Sequence, residues 1–232
     1  MFSVLGAVVS LFFTILTPQP EVVQISIIEP HSIIALTFDD GPSLYTEKIL
    51  NVLEEHNALA TFFVLGSQVQ KNPCITARAA ALGHQTENHS FDHEDFRNLS
   101  EQNIRSTITK TSDEVEAATG TGTTLVRPPY GVYNEKVKLV LQNMGYPIVL
   151  WSVDTRDWES RDTQTIYDHI MDNAVNGAII LLHDVRLSTY EAVALAVPEL
   201  IARGYRFVTV NEVLEYVYGN LQPGRVYRGN RK

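Results

Sequence analysis

The stretch Ile33–Pro42, which reads IIALTFDDGP, constrains the fold of this chain more than any other. Its first six residues are mostly apolar and favour a β-strand, which runs directly into two adjacent carboxylates and a Gly-Pro turn. In folds of alternating strands and helices, the loops after the C-terminal ends of the strands build the reactive face, so Asp39 and Asp40 stand where such a fold places its chemistry. A helix N-cap at a turn would explain the same two residues without any function.

The rest of the chain alternates between strand-like and helical patterns about seven times. With short loops, this alternation predicts an α/β fold with a parallel sheet, either open or closed into a barrel. The predicted strands are Ile33–Phe38, Ala60–Leu65, Gln85–Thr86, Thr124–Val126, Ile148–Val153, Ala178–Leu182 and Phe207–Val210. The predicted helices are Thr46–His56, Ile75–Leu82, Ser100–Gly120, Asn134–Met144, Asp162–Val175, Thr189–Arg203 and Glu212–Tyr218.

Size and composition limit the classes of protein that this chain can belong to. Its 232 residues, 44% of them hydrophobic, suffice for one domain with a substantial core. A net charge of −9 without clustered Lys and Arg argues against nucleic-acid binding, which needs many cations to neutralise phosphates. Cys74 is the only cysteine, so the chain has neither an internal disulfide nor a cysteine metal site.

The N-terminal segment Met1–Leu16 is almost wholly apolar. Its length suits the core of a signal peptide better than a membrane-spanning helix, which needs about 20 residues. No basic residue precedes it and no small-x-small cleavage site follows it, so an uncleaved membrane anchor or an incompletely represented N-terminus is the alternative. We therefore expect an extracytoplasmic protein, secreted or anchored, with this segment over 1–20, a linker over 21–32, one domain over 33–218 and a tail over 219–232.

Side chains that can perform chemistry follow most of the predicted strands. They are Asp39, Asp40, His89, His93, Arg127, Asp154, Asp157 and His183. Because the carboxyl ends of parallel strands meet on one face, a single fold can bring these residues together.

His89 and His93 are four residues apart and can face the same way on a turn of helix. A carboxylate from Asp39 or Asp40 would complete a two-histidine, one-aspartate metal site with a position left for water. Zinc fits these ligands best, and cobalt or nickel would accept the same set. A pair of surface histidines is the structural alternative.

His183 ends an apolar run and suits a general acid if a carboxylate from Asp154 or Asp157 raises its pKa. Arg127 precedes two prolines, which hold the backbone extended and give a fixed guanidinium that can keep a catalytic carboxylate ionised. The structural alternatives are a core histidine and a surface arginine.

Five motifs, taken together, resemble those of a known family. They are TFDDGP at Thr37–Pro42, HSFDH at His89–His93, RPPYG at Arg127–Gly131, DTRDW at Asp154–Trp158 and LLHD at Leu181–Asp184. In this order, they resemble the polysaccharide deacetylases with the NodB homology domain, carbohydrate esterase family 4. The resemblance runs from about residue 33 to residue 214.

The resemblance implies a distorted (β/α) barrel, often of seven strands, that removes acetyl groups from carbohydrate polymers. It implies that Asp40, His89 and His93 bind a divalent metal, with Zn²⁺ preferred and Co²⁺ or Ni²⁺ as alternatives. Asp39 would be the general base, and Arg127 would position it.

The resemblance also implies that Asp157 orients His183 as the general acid. The backbone N–H of Tyr130 would help to hold the oxyanion, while Trp158 and Leu181 would enclose the acetyl methyl group. Together these roles describe an acetate-releasing hydrolase that acts on an acetylated polymer.

The favoured hypothesis is an N-deacetylase that acts on N-acetylglucosamine residues of peptidoglycan. The alternatives are a chitooligosaccharide deacetylase, an O-acetyl esterase of xylan and, from a different class, a carbohydrate-binding module without turnover. One departure from the family pattern is Thr86-Glu87, where an apolar residue and a small one are common. We expect the Glu87 carboxylate either to point to solvent or to alter metal affinity.

Overall fold

A parallel β-sheet lies at the centre of the structure, a computed structural model that describes residues 32–230. The predicted N-terminal apolar segment and most of the linker lie outside the described residues. The strands are β1 (Ser32–Asp39), β2 (Ala60–Val64), β3 (Gln85–Asn88), β4 (Ile148–Val149), β5 (Val153–Asp154), β6 (Ala178–His183), β7 (Tyr205–Phe207) and β8 (Val226–Tyr227). The α-helices are α1 (Leu44–Glu55), α2 (Gly66–Lys71), α3 (Pro73–Ala81), α4 (Glu101–Thr119), α5 (Glu135–Met144), α6 (Thr163–Asn173), α7 (Leu187–Ala202) and α8 (Val210–Tyr218).

The strands pair in the order β3-β2-β1-β6-β5, all parallel, with β7 pairing to the start of β1. A second parallel ladder joins β4 to β8. The single residue Val126 forms one isolated bridge to β3 and another to β4. The predicted α/β fold with a parallel sheet is confirmed. Val126 bridges β3 to β4, and the chain runs from β4 into β5, which pairs with β6, so the strands follow one another around the distorted barrel that the sequence predicted.

Alternation along β1 explains why this strand organises the fold. Ile34, Leu36 and Phe38 pack into the larger hydrophobic cluster, which also contains the buried residues of α1, α6 and α7. On the opposite face, where side chains of the other parity point, Thr37 and Asp39 are buried as well. The strand is therefore covered on both sides, but one side carries polar groups.

Several predicted elements differ from the structure where the chain changes its pairing partner. The predicted strand Ile148–Val153 is two short strands, because Leu150 donates its N–H to Tyr227 whereas Ser152 donates to Ile179. The predicted strand Thr124–Val126 is a single bridge at Val126. Helix α2 was not predicted.

The C-terminal part of the chain shows two further differences. The predicted strand Phe207–Val210 is displaced to β7, because Thr209 caps α8 in a capping box with Glu212. The segment 219–232, which the sequence suggested was a tail, contributes β8, whose Tyr227 is fully buried. None of the helices in the described part of the chain is long and apolar enough to cross a membrane.

Candidate active site

The carboxyl ends of the strands bring the predicted site residues to one cavity of about 340 Å³. In the β1–β6 register, Asp39 lies directly opposite His183. Eight of the ten predicted site residues line this cavity: Asp39, Asp40, His89, His93, Tyr130, Trp158, Leu181 and His183. The other two, Arg127 and Asp157, are fully buried and contact the lining residues from behind.

Asp40, His89 and His93 offer ligand atoms that all lie within 4.8 Å of one another. The Oδ1 atom of Asp40 is 3.6 Å from Nε2 of His89 and 3.4 Å from Nε2 of His93. The residues alone left Asp39 or Asp40 open as the third ligand and the resemblance implied Asp40, which is the aspartate that the structure groups with the histidines.

The surroundings of this cluster suit a divalent cation. The Nδ1 atom of His89 lies 2.7 Å from the carbonyl oxygen of Arg127 and donates to it, which leaves Nε2 as the lone-pair nitrogen. Burial lowers the pKa of His89 to about 3, so the ring is neutral and able to ligate. The buried Oδ1 atom of Asp40 has no hydrogen-bond partner among the described residues.

Three residues of the cavity have left-handed backbone conformations that are unusual outside glycine. They are Asp40 (φ 76°), His93 (φ 60°) and Tyr130 (φ 62°). Such conformations cost about 1–2 kcal/mol each and persist only where the surrounding structure imposes them. The fold therefore fixes the directions of two metal-ligand candidates and of the turn that carries Tyr130.

Asp39 is held by a buried arginine. The NH1 group of Arg127 donates to Oδ1 of Asp39 at 2.6 Å and to Oγ1 of Thr37 at 2.8 Å. The guanidinium carbon lies 4.0 Å from the centre of the Phe63 ring. Burial raises the pKa of Asp39, against the lowering effect of the Arg127 charge. A carboxylate whose pKa is raised is a better proton acceptor than an ordinary aspartate.

His183 is paired with Asp157 rather than with Asp154. Asp157 accepts hydrogen bonds from both the Nδ1 atom and the backbone N–H of His183, each at 2.7 Å, and from Oγ1 of Thr189 at 2.8 Å. Asp154 is exposed and accepts from the backbone N–H of Arg156 instead. Burial lowers the pKa of His183, but the hydrogen bond and charge of Asp157 outweigh it and raise the pKa to about 9.

Aromatic and aliphatic groups form the open side of the cavity. Tyr130 is 64% exposed, and its ring centre lies 4.4 Å from that of His93. Trp158 is 49% exposed, whereas Leu181 is buried against the cavity floor. Trp151 also lines the cavity, and a side chain at Gly131 would begin 2.6 Å from its ring.

Some contributors to the site were not identified from the sequence. Thr37 and Asp184 lie within the motifs that were recognised, so motif membership was the available signal. Asp184 is fully buried, accepts a hydrogen bond from Thr46, and leaves no room for a Cβ atom at Gly41. Thr189 carried no local signal, because its role depends on how α7 packs beside Asp157.

Glu87 takes neither of the two positions expected from the sequence. Its carboxylate is buried and accepts four hydrogen bonds at 2.7 Å, from Gln85, from the backbone and hydroxyl of Thr124, and from the backbone of Leu125. It therefore connects β3 to the chain before Arg127. The solvent-exposed interpretation is wrong, and Glu87 is not part of the Asp40, His89 and His93 cluster.

Fold and site together define a class of protein. A parallel α/β fold whose strand ends group an Asp-His-His cluster, a carboxylate held by arginine and a histidine held by carboxylate has the chemical groups of a metal-assisted hydrolase.

Comparison with known proteins identifies the family. Residues 28–149 match the family described as polysaccharide deacetylase. The chain belongs to this family, as the sequence motifs predicted.

Relatives with assigned names are similar over most of this chain. Peptidoglycan-N-acetylglucosamine deacetylase PgdA of Listeria monocytogenes is 42% identical over 196 residues, which are 84% of this chain and 41% of PgdA. The chain thus spans about two fifths of that relative. A Bacillus cereus peptidoglycan-N-acetylglucosamine deacetylase is 40% identical over 79% of this chain and 89% of its own length.

A solved structure of this family has a similar fold. The family 4 acetyl xylan esterase of Clostridium thermocellum, in complex with a cobalt ion, is 31% identical and superposes with a TM-score of 0.79. The match covers 85% of this chain and 98% of the esterase.

The metal site can be tested by titration. We expect His93→Ala to weaken Zn²⁺ binding more than about 100-fold, because loss of a ligand exceeds the 10–100-fold effect of losing a supporting partner. Isothermal titration calorimetry on the metal-stripped protein measures this, and His56→Ala, outside the cavity, is the matched control. Equal Zn²⁺ affinity in both variants would remove His93 from the site.

The structural role of Glu87 predicts a different outcome. Glu87→Ala should lower the free energy of unfolding by about 2–4 kcal/mol, since it leaves the buried N–H groups of Thr124 and Leu125 without acceptors. Urea denaturation measures the change, and the exposed Glu55→Ala should stay within about 0.5 kcal/mol of the wild type. A variant that kept its stability but lost Zn²⁺ affinity would place Glu87 at the metal instead.

Proposed function

We propose that this chain is a metal-dependent N-deacetylase that hydrolyses the acetamido group of N-acetylglucosamine residues in peptidoglycan. The observation that carries the proposal is the opposition of Asp39 and His183 at the ends of paired strands, each held by its own buried partner, beside the Asp-His-His cluster. A binding module has no need of separate acid and base groups. The names of the relatives support peptidoglycan as the polymer.

Asp40, His89 and His93 would hold the metal. A divalent cation there would supply Lewis acidity to the acetyl carbonyl and lower the pKa of a water molecule from 15.7 to about 7. The ligand set favours zinc, and cobalt or nickel would fit the same atoms.

Asp39 accepts the proton of the attacking water in this proposal. Arg127 keeps the carboxylate aimed into the cavity and offsets the effect of burial on its charge. As the water oxygen bonds to the acetyl carbon, negative charge develops on the carbonyl oxygen, and the backbone N–H of Tyr130 is the donor assigned to it. Trp158 and Leu181 enclose the methyl group.

His183 supplies a proton to the departing nitrogen. The Asp157 hydrogen bond keeps the ring protonated at neutral pH and fixes Nδ1, so that Nε2 is the donating atom. The C–N bond breaks as the nitrogen gains this proton, which releases acetate and leaves a free amine on the sugar.

An O-acetyl xylan esterase is the second candidate, because an esterase of that type has a similar fold. A chitooligosaccharide deacetylase would use the same residues on a different glycan. Since peptidoglycan lies outside the cytoplasmic membrane, the proposal also places this chain there, secreted or anchored.

Acetate release tests the proposal. The purified protein should release acetate from N-acetylglucosamine oligomers and from peptidoglycan, lose that activity with a chelator and regain it with Zn²⁺. Asp39→Asn should lower kcat by about 10²–10⁴-fold. Release from acetylxylan alone would favour the esterase, and saturable glycan binding without release would favour the binding module.

The pairing of His183 with Asp157 predicts a pH effect. A general acid acts while it is protonated, so kcat/KM should fall as pH rises through the raised pKa of His183, near about 9. Asp157→Asn removes the charge that opposes burial, so the basic limb should move to lower pH by more than about one unit. Asp154→Asn should leave that limb in place. If the basic limb moved with Asp154→Asn and not with Asp157→Asn, Asp154 would be the partner of His183.

A further inference from the structure

A second cavity, of about 360 Å³, lies beside the catalytic cavity. Its lining includes Tyr45, Arg161, Val185, Arg186, Leu187 and Glu191. Arg186 lines both cavities, and no other described lining residue does. Because Arg186 follows His183 by three residues, the proposed acid and this arginine are part of one short segment.

The two arginines of this cavity have no carboxylate partner in the part of the chain that the structure describes. The Nε atom of Arg186 is buried without a hydrogen-bond partner among the described residues. Within residues 32–230, neither Arg186 nor Arg161 has a carboxylate within 4.0 Å of its guanidinium. A buried donor without a partner is unfavourable, and natural proteins usually satisfy such groups. An acceptor supplied from outside the described chain would satisfy Arg186.

The charge of the cavity is opposite to that of the chain. Its charged lining residues are two arginines and one glutamate, in a protein whose net charge is −9. The Oε2 atom of Glu191 accepts a hydrogen bond from Thr163 at 2.7 Å. The cavity therefore offers a local excess of positive charge to an anion.

The other lining groups suit a sugar ring. Tyr45 is half-buried, while Val185 and Leu187 are 36% and 47% exposed, so apolar surface lies beside the cations. Aromatic and aliphatic groups pack against the C–H faces of sugars, and a guanidinium pairs bidentately with a carboxylate. A sugar that bears a carboxylate matches both features, whereas a neutral sugar leaves the arginines unpaired.

We infer that Arg186 and Arg161 form a subsite for the carboxylate carried by the sugar next to the N-acetylglucosamine being deacetylated. The inference rests on the proposed function, which sets the acetamido group in the catalytic cavity, and on Arg186, which lines both cavities and so lies beside the neighbouring sugar. In peptidoglycan the neighbour carries a lactyl group, whose carboxylate is free where no peptide stem is attached. Where a stem is attached, that group is an amide and the stem's own carboxylates are the source. Both sources present the same chemistry.

The test compares oligosaccharides of equal length. Peptidoglycan glycan oligomers stripped of their stems carry free lactyl carboxylates, and conversion of these groups to methylamides gives neutral counterparts. Wild-type protein should deacetylate the carboxylate form with the higher kcat/KM. Arg186→Met and Arg161→Met should each lower the ratio of carboxylate to methylamide kcat/KM by about tenfold or more, mostly through KM.

The ratio of carboxylate to methylamide kcat/KM also serves for the control variant. Arg203→Met removes one positive charge at the opposite end of α7 and should leave the ratio unchanged. Equal losses on both oligomers would overturn the subsite, as would a wild-type ratio near one. Oligomers that retain their stems show which carboxylate is bound. If Arg186→Met lowers kcat/KM more on stem-bearing oligomers than on stripped ones, the stem supplies the carboxylate, and the reverse result assigns it to the lactyl group.

Binding measurements separate this inference from the proposed function. Calorimetry with the Asp39→Asn protein needs no turnover, and it should show tighter binding of the carboxylate oligomer, lost with Arg186→Met. If the wild type released no acetate from any N-acetylated glycan, the proposed function would fail while this preference could still be measured. If the Arg186→Met protein does not fold, the Arg161→Met protein provides the same comparison, because Arg161 is exposed and its replacement does not disturb the core.

Discussion

The buried ion pair between Arg127 and Asp39 is the interaction on which the rest of the site depends. Arg127 is fully inaccessible to solvent and Asp39 is 2% exposed, so neither charge keeps its hydration. Desolvation costs several kcal/mol per ion, and removal of one partner costs about 3–5 kcal/mol because it leaves an unpaired buried charge. Thr37 and the ring of Phe63 complete the surroundings of the guanidinium. One face of β1 therefore carries charge at its C-terminal end, next to a smaller hydrophobic cluster, while the larger cluster packs against the other face.

The buried ion pair and the paired strands around it explain how the cavity tolerates unfavourable backbone conformations. Asp40 and His93 adopt left-handed conformations, as does Ser90 between the two histidines of the motif. Each conformation costs stability locally, and the paired strands on either side prevent its relaxation. A flexible loop would instead let the ligands spread apart, with a corresponding loss of affinity for a small cation. Of the six non-glycine residues with positive φ in the described part of the chain, three (Asp40, His93 and Tyr130) carry the proposed chemistry.

Much of the fold and site could be predicted from the sequence, because strand ends and motifs are local features. The alternation of strand-like and helical patterns placed the reactive groups at strand ends, and the five motifs indicated the family. The remainder depended on contacts between distant segments. Strand ends alone left Asp154 and Asp157 open as partners of His183, and only the family resemblance favoured Asp157, which is the carboxylate that turns towards β6. The burial of Glu87 depends on the two N–H groups that reach it from Thr124 and Leu125. Short pairings such as β4 and β8 have too few residues to produce a periodic pattern.

Arg186 shows how specificity can vary while the reaction stays the same. The proposed acid and base lie on β1 and β6, where any shift would disturb the ladder that aligns them. Arg186 and Arg161 lie outside the sheet, in segments next to α7 and α6, and loop segments accept substitution more readily than paired strands. A family that acts on several polymers can therefore keep the strand-end chemistry and exchange the charge of this neighbouring cavity. In this chain the neighbouring cavity carries two arginines that have no carboxylate partner among the described residues, and a carboxylate on the adjoining sugar would meet them there.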